Sequence, residues 1–186
     1  LRAYRGQTVE AIELIEQAAT ALADSPDRWL QAYVDWVRSG LRLKTGDAEQ
    51  ARQLLERSFA DFAAHGDRYG QAITSIRLGE LAEMRGDLHE AIAATTFAYE
   101  GTMSTGRGAN ASILATRLSN LAALQGRFDD AAAWHETALN RARELSFPGP
   151  AAQALSGMAV AAELQGRRDD AESLHREALA AYEAVG

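Results

Sequence analysis

Residues 78–98 read LGELAEMRGDLHEAIAATTFA, and this stretch predicts two helices joined by a tight turn. Leu78, Leu81 and Met84 follow one another at three-residue steps, which places them on one face of a helix. Gly86 follows this run, and glycine adopts the left-handed backbone conformation that ends a helix at no steric cost. The aspartate after it suits the first turn of a second helix, because the helix dipole favours an anion there. The unit is therefore a first helix, a glycine turn and a second helix.

The same unit recurs along the chain with a period of forty residues. The turn glycines are Gly6, Gly46, Gly86, Gly126 and Gly166. Five residues after each glycine stands an alanine: Ala11, Ala51, Ala91, Ala131 and Ala171. A small residue follows seven positions further on: Ala18, Ser58, Ala98, Ala138 and Ala178. Small side chains at fixed places in the second helix let neighbouring helix axes approach to about 8–10 Å. The pattern therefore predicts tandem helix pairs that stack on one another.

We predict an all-α fold of about nine helices, an α-α superhelix of tandem helix pairs. The second helices are expected near residues 7–24, 47–65, 87–105, 127–146 and 167–185. The first helices are expected between them, near residues 27–45, 67–85, 108–125 and 149–165. A single pair cannot bury its apolar faces, whereas stacked pairs share a continuous core, so residues 1–186 are predicted to form one array. The first unit lacks most of its first helix, and no polar capping helix follows the last unit, which predicts that the chain is a fragment of a longer protein.

Composition and charge restrict the function classes that remain. The formal net charge is −7, which argues against direct nucleic-acid binding, because such binding depends on clustered lysine and arginine. The chain contains no cysteine, which excludes disulfides and thiolate metal sites and leaves the cytoplasm as the expected compartment. No apolar run approaches the roughly 20 residues that a bilayer-spanning helix needs, so no membrane partner is expected.

No catalytic, cofactor or metal site is predicted. The sequence has no phosphate loop with its lysine, no nucleophile elbow and no zinc-binding helix motif. His135 and His175 stand one repeat apart, so we interpret both as packing residues in the same position of successive second helices. We therefore expect a protein that is not an enzyme.

The repeat resembles the tetratricopeptide repeat (TPR) family over essentially the whole chain. The residues that carry the resemblance are Leu78 and Gly79 in the first helix, Gly86 at the turn, and Ala91 and Ala98 in the second helix. The unit departs from the family pattern in its length of forty residues, in the missing proline after most second helices and in histidines where a large aromatic is usual.

Residues 121–144, LAALQGRFDDAAAWHETALNRARE, are similar to the C-terminal arrays of actinobacterial antibiotic-regulator and maltose-regulator-like proteins. This narrower resemblance implies a sensor or interaction arm of a bacterial transcriptional regulator. It does not imply that the chain itself binds DNA or nucleotide.

In repeats of this type the inner, concave surface is lined mainly by first helices. Projecting the period gives these candidate binding residues: Tyr33, Trp36, Arg77, Glu80, Glu83, Arg117, Asn120 and Glu163. Arg77 and Arg117 stand one repeat apart, which suits a carboxylate or the carbonyls of an extended peptide. They could equally pair with Glu80, Glu83 or another local carboxylate. Tyr33 and Trp36 are either anchors for a partner or a cover for the incomplete first unit.

We hypothesise that the chain is a non-enzymatic scaffold that binds a protein or peptide segment in a preorganised groove. Two alternatives remain. An oligomerisation module would bury its terminal faces against another copy and form a homo-oligomer. A small-molecule sensor would need a closed apolar pocket near Trp36 or Asn120.

Overall fold

The computed structural model describes residues 2–106 and 110–183, with side chains described from residue 10 onward. Regular structure in these ranges is entirely helical. The helices are α1 (Arg2–Ala21), α2 (Arg28–Lys44), α3 (Ala48–Ala64), α4 (Arg68–Met84), α5 (Leu88–Ser104), α6 (Ala111–Leu124), α7 (Phe128–Glu144), α8 (Pro148–Leu164) and α9 (Arg168–Glu183). The predicted all-α class is confirmed, and the predicted bounds of α2–α9 hold to within one helical turn. The predicted helix start at residue 108 and end at residue 185 lie outside the described residues.

Helices end at left-handed glycines, as the repeat predicted. The backbone φ is positive at Gly46, Gly66, Gly86, Gly106, Gly126 and Gly166. Beyond these residues the chain closes a Schellman motif: the Asp47 amide donates to the Arg42 carbonyl, and the Asp87 amide donates to the Ala82 carbonyl, each at 2.9 Å. These bonds satisfy carbonyls that a helix end leaves without an intrahelical donor.

Ser146 occupies the same left-handed position after α7 with φ of 54°, where α2–α6 and α8 are each followed by glycine. The motif is nevertheless formed, because the Phe147 amide donates to the Ala142 carbonyl at 2.8 Å. A left-handed conformation costs an L-residue about 1–2 kcal/mol, so this turn carries local strain.

Aspartates start three of the helices in the first half of the chain. The Asp27, Asp47 and Asp67 side chains accept from the amides of Leu30, Gln50 and Gly70, respectively. Each bond satisfies one backbone N–H of the first turn that has no acceptor within the helix. Further along, Asp129 and Asp130 lie in the first turn of α7, where the dipole favours them.

The predicted turn at Gly6 is wrong, because Gly6 lies inside α1 (Arg2–Ala21). A glycine in the interior of a helix costs only about 0.5–1 kcal/mol, so α1 continues through this position.

The helices group into two compact units, Leu1–Asp87 and Leu88–Gly186. In the first unit, Ala51, Leu55 and Leu81 form a buried cluster against which Trp36 and Leu78 pack. The core of the second unit contains the buried residues Ala115, Ala138, Leu139, Ala142, Ala151, Ala154, Leu155 and Ala178. That both units belong to one array stays a prediction based on the unbroken forty-residue register.

The small residues of the repeat are buried, as close helix packing requires. Those with at most 3% exposure are Ala51, Ser58, Ala91, Ala98, Ala131, Ala138, Ala171 and Ala178. Hydroxyls bridge the paired helices: Ser58 Oγ donates to the Ala32 carbonyl and Ser112 Oγ to the Ala138 carbonyl, both at 2.8 Å. The exceptions are the two on α1: Ala11 is exposed and Ala18 is only partly buried.

Within residues 2–106 and 110–183, none of the helices combines the length and the apolar character needed to span a bilayer.

Candidate binding site

Three aromatic side chains line one face of α2. Trp29, Tyr33 and Trp36 stand four and three residues apart, which is the spacing of neighbours on one helix face. Their ring centroids are 6.1 Å apart between Trp29 and Tyr33 and 5.6 Å apart between Tyr33 and Trp36. We call this set the aromatic ladder. Trp29 is 41% exposed and Tyr33 is 42% exposed, so the ladder presents two of its rings to solvent.

Contacts with α3 and α4 hold the two tryptophans in place. Trp29 Nε1 donates to Asp67 Oδ2 at 2.7 Å, and the Trp29 ring meets Phe62 edge-on with centroids 6.0 Å apart. Trp36 Nε1 donates to the Ile73 carbonyl at 3.2 Å. Both indole donors are therefore satisfied within the protein, and neither ring can turn without breaking a hydrogen bond.

Arg77 supports the ladder from α4. Its guanidinium carbon lies 4.0 Å from the centroid of the Trp36 ring, a cation–π arrangement. Its Nη1 donates to the Trp36 carbonyl and, at 3.3 Å, to Ser39 Oγ. Burial lowers the pKa of Arg77, while the charges of Glu80 and Tyr33 act in the opposite direction. The guanidinium stays charged, since arginine is not deprotonated in proteins, and it anchors α4 to α2.

The absence of a side chain at Gly40 makes room for the Arg77 guanidinium. A Cβ built on Gly40 would lie 2.9 Å from Arg77 Cζ, so a side chain at this position would displace the arginine. Gly40 is thus the residue of α2 that lets Arg77 reach the Trp36 carbonyl.

The predicted binding residues divide between the two units. Tyr33, Trp36 and Arg77 come together in the first unit, where Glu80 and Glu83 also lie on α4. The second unit holds the other three: Arg117 and Asn120 on α6, and Glu163 on α8. Glu80, Glu83 and Arg117 all have interaction partners of their own. Glu163 Oε1 is 3.1 Å from His175 Nε2. The side-by-side arrangement of Arg77 and Arg117 stays a prediction.

Trp29 belongs to the site although the sequence analysis did not select it. The sequence does hold a clue to Trp29: it stands four residues before Tyr33 and seven before Trp36, a spacing that places all three on one helix face. The residue was missed because it stands in the first turn of α2, beside the predicted helix start. Its role depends on Asp67 and Phe62, which belong to other helices.

The opposite side of α2 faces a polar cleft of about 340 Å³. Asp35, which is 9% exposed, accepts from Arg57 Nη2 at 2.9 Å and from Arg38 Nη1 at 3.2 Å. Arg38 also donates to Glu16 Oε2 at 2.8 Å. Burial alone would raise the pKa of Glu16, but the hydrogen bonds and charges of Arg38 and Arg42 lower it overall. The ion pairs among these side chains link α1, α2 and α3.

Of the two histidines interpreted as packing residues, one is buried. His135 is 4% exposed, and neither ring nitrogen has a hydrogen-bond partner within the described part of the chain. Its ring packs on Gly157 of α8, where a Cβ would lie 2.1 Å from Nε2. Burial lowers the pKa of His135.

The interpretation of His175 as a packing residue is wrong, because its side chain is 46% exposed beside Glu163. Nothing among residues 2–106 and 110–183 packs over this side of α9 as α8 packs over His135. In the same ranges no group of three or more His, Asp or Glu side chains is placed to hold a metal ion.

The repeated helix pairs define an all-α repeat protein with the tetratricopeptide-type fold. Residues 110–184 match the tetratricopeptide repeat family. The chain is similar to BtubC (BKLC) from P. vanneervenii, with a TM-score of 0.88, 18% identity and coverage of 99% of this chain and 76% of that one. It is also similar to the TPR-like repeats of a putative kinesin light chain from Podosopora anserina, with a TM-score of 0.77, 17% identity and coverage of 98% and 90%.

A third similar structure is a Signal Transduction ATPase with Numerous Domains (STAND) protein with a tetratricopeptide repeat sensor, from Pyrococcus horikoshii. Its TM-score is 0.84 at 13% identity, and the match covers 97% of this chain and 28% of that one. No curated protein sequence matches the chain. At these identities the structural similarity shows the fold alone.

Proposed function

We propose that this chain is a protein- or peptide-binding scaffold and that the aromatic ladder is its main recognition surface. The observation that carries the proposal is the rigid exposure of Trp29 and Tyr33, rings that lie 6.1 Å apart and are each about 40% open to solvent. Exposed tryptophan and tyrosine are enriched among the residues that dominate binding energy at interfaces.

The supports beneath the ladder favour binding over a purely structural role. Asp67 holds Trp29, and Ile73 and Arg77 hold Trp36, so the surface is already ordered before a partner arrives. Preorganisation lowers the entropic cost of association, which makes a small surface effective. The tetratricopeptide-type fold also serves generally as a non-catalytic interaction scaffold.

The remaining candidate residues are proposed as polar contacts, each within its own unit. Glu80 and Glu83 stand on α4 of the first unit, while Arg117 and Asn120 stand on α6 and Glu163 on α8 of the second unit. In this proposal Arg117 binds a carboxylate or a backbone carbonyl.

We place this scaffold, as its biological setting, in the sensor or interaction arm of a bacterial transcriptional regulator in the cytoplasm. The support is the sequence resemblance of residues 121–144 and the fold similarity to the tetratricopeptide repeat sensor of the STAND protein. In such an arrangement the occupied scaffold reports to a regulatory domain elsewhere in the protein.

A peptide-display selection tests the proposal. Random peptides are selected on the full 186-residue chain, and the enriched peptides are labelled and titrated by fluorescence anisotropy. We expect binding that a Trp29→Ala/Tyr33→Ala double variant weakens by about tenfold or more, the size of hot-spot losses. Tyr182→Ala serves as the matched control, because Tyr182 is an aromatic residue of α9, in the other unit, with a similar exposure of 48%.

The competing functions give different outcomes in the same set of measurements. If the double variant and Tyr182→Ala lose equal affinity for the peptides, the aromatic ladder is not the recognition surface. A mass that rises with protein concentration, together with no enriched peptide, would favour the oligomerisation module. Far-ultraviolet circular dichroism confirms that each variant is folded before its affinity is compared.

A further inference from the structure

We propose that protonation of His135 opens the contact between α7 and α8, so that the second unit is closed in neutral solution and opens in acid. This switch goes beyond the binding function and does not depend on the aromatic ladder. It follows from the place of the imidazole, from the groups around it and from the way α8 is held.

The His135 ring is enclosed between α7 and α8 without a polar partner. It is 4% exposed, and neither ring nitrogen is hydrogen-bonded within the described ranges. A Cβ built on Gly157 would lie 2.1 Å from Nε2, so the ring rests directly on the α8 backbone. The imidazolium carries a charge and two N–H donors, which are costly to bury without a partner. A protonated ring therefore needs water, which it reaches when α7 and α8 separate.

The side chains next to His135 on its own helix offer no acceptor. Residues three and four positions away are its neighbours on the helix surface. All four of these positions on α7 are apolar: Ala131, Ala132, Ala138 and Leu139. The charge of a protonated ring is therefore not compensated from within α7.

The helices that pack on α7 supply no counter-charge either. The titratable side chain of α6 (Ala111–Leu124) is Arg117, which is itself a cation and has a partner of its own. The titratable side chain of α8 is Glu163, which lies six residues beyond Gly157, or about 9 Å along the helix. Its Oε1 is 3.1 Å from His175 Nε2. Helix α5 reaches α7 through the aromatic ring of Tyr99.

The direction of the response follows from the lowered pKa of His135. Burial lowers this pKa, and no neighbouring charge in the described part of the chain offsets the effect. The open state therefore takes up a proton more readily than the closed state. The closed state keeps its full advantage above about pH 6.5, the ordinary imidazole value, and loses it as the pH falls further. At pH 5.5 the population of the open state rises by up to about tenfold.

The α8–α9 pair is the part of the second unit that this contact holds. These two helices pack on one another, and as far as the structure describes the chain they meet its other helices where α8 contacts α6 and α7. The core at that contact is rich in alanine, including Ala138 and Ala142 of α7 and Ala151 and Ala154 of α8. An alanine buries less apolar area than a larger side chain and stabilises less. Because stacked helix pairs are held by their nearest neighbours, we expect acid to release α8 and α9 before the rest of the unit unfolds.

Hydrogen–deuterium exchange with mass spectrometry tests the switch on the full 186-residue chain at pH 7.5 and 5.5. Exchange rates are corrected for the intrinsic pH dependence of amide exchange. We expect the protection of α8 and α9 to fall several-fold at pH 5.5, up to the limit of about tenfold. Helices α2–α4 should change much less, because the histidine of the first unit, His65, is exposed.

The repeat itself supplies matched variants. Leu55 and Thr95 stand at the same place in the forty-residue register as His135, and both are 0% exposed. His135→Leu and His135→Thr therefore introduce residues that the protein already buries at this position, and neither titrates. Both variants are expected to lose the acid response of α8 and α9. His175→Thr is the control that should keep it, because the His175 side chain is 46% exposed. Circular dichroism at pH 7.5 shows whether each variant is folded.

Unchanged protection of α8 and α9 at pH 5.5 overturns the switch, and so does an acid response that survives in a folded His135 variant. An equal loss of protection throughout α6–α9 also rejects it, since that result indicates unfolding of the whole unit rather than release of one helix pair. These measurements need no partner. Failure of the switch therefore leaves the binding function standing, and failure of peptide binding at neutral pH leaves the switch standing.

Discussion

Replacing Gly157 by alanine is expected to destabilise the second unit, although alanine is the better helix former. In the interior of a helix, exchanging glycine for alanine ordinarily stabilises by about 0.5–1 kcal/mol. At this position the new Cβ would lie 2.1 Å from His135 Nε2 and 2.5 Å from Cε1. His135 is 4% exposed, so its ring has no solvent-filled space into which to turn. Overpacking of this kind costs about 1–3 kcal/mol, which exceeds the gain in helix propensity and leaves a net loss of up to about 2.5 kcal/mol.

Gly149→Ala is the matched control in the same helix. Nothing beyond its chain neighbours lies within 4 Å of a Cβ built on Gly149, so this variant has no clash with another helix. Because Gly149 precedes Pro150, which disfavours helical backbone for alanine, its gain is expected to stay below about 0.5 kcal/mol. Urea unfolding followed by circular dichroism measures both changes in the free energy of unfolding.

A double-mutant cycle identifies the clash as the cause. In a His135→Ala background the imidazole is absent, and Gly157→Ala is expected to become stabilising. The coupling between the two positions should be about 2 kcal/mol, within the range for residues in contact. If Gly157→Ala stabilises the unmodified chain as much as Gly149→Ala does, the packing of His135 on α8 is refuted.

Three further predictions concern single residues. Ser146→Gly should relieve the left-handed strain at the end of α7 and stabilise by about 0.5–1 kcal/mol in urea unfolding, whereas Gly166→Ser should destabilise. Burial lowers the pKa of His135, so its neutral ring contributes stability that is complete above about pH 6.5 and is lost as the pH falls below that value. Unfolding free energies from pH 8 to 5 check this, and a His135→Leu variant whose pH profile keeps the same slope would contradict it. Arg77→Ala should cost about 1–3 kcal/mol, because Arg77 bonds the Trp36 carbonyl and covers the Trp36 ring. Arg52→Ala, which removes only exposed ion pairs within α3, should cost much less, and equal losses would contradict the role of Arg77.

The helix pattern could be predicted from sequence because its causes are local. Glycine at the turn, aspartate at the helix start and apolar residues at three- and four-residue steps act within a few residues of one another. Gly46, Gly86 and Asp47 therefore behave as the repeat predicts. The prediction failed at Gly6, which lies inside α1, because a single glycine within a helix costs too little to end it.

The binding surface depended on contacts between helices that are distant in sequence. Sequence spacing alone placed Tyr33 and Trp36 on one helix face. The choice of Trp29 as a third anchor depended on Asp67, which lies 38 residues further along the chain. For Arg77 the sequence left two roles open, binding a ligand or pairing with a local carboxylate, whereas the packing of α4 on α2 turns its guanidinium onto the Trp36 ring.

The different environments of His135 and His175 also separate what local sequence predicts from what packing between helices decides. Both occupy the same place in the forty-residue register, so sequence reasoning treated them alike. His135 is enclosed against Gly157, while His175 remains open beside Glu163. The sequence by itself determined which segments are helical and where they end, because those causes are short-range. Tertiary structure decided which side chains are enclosed and which remain available to a partner, because burial depends on the neighbouring helix that packs against each face.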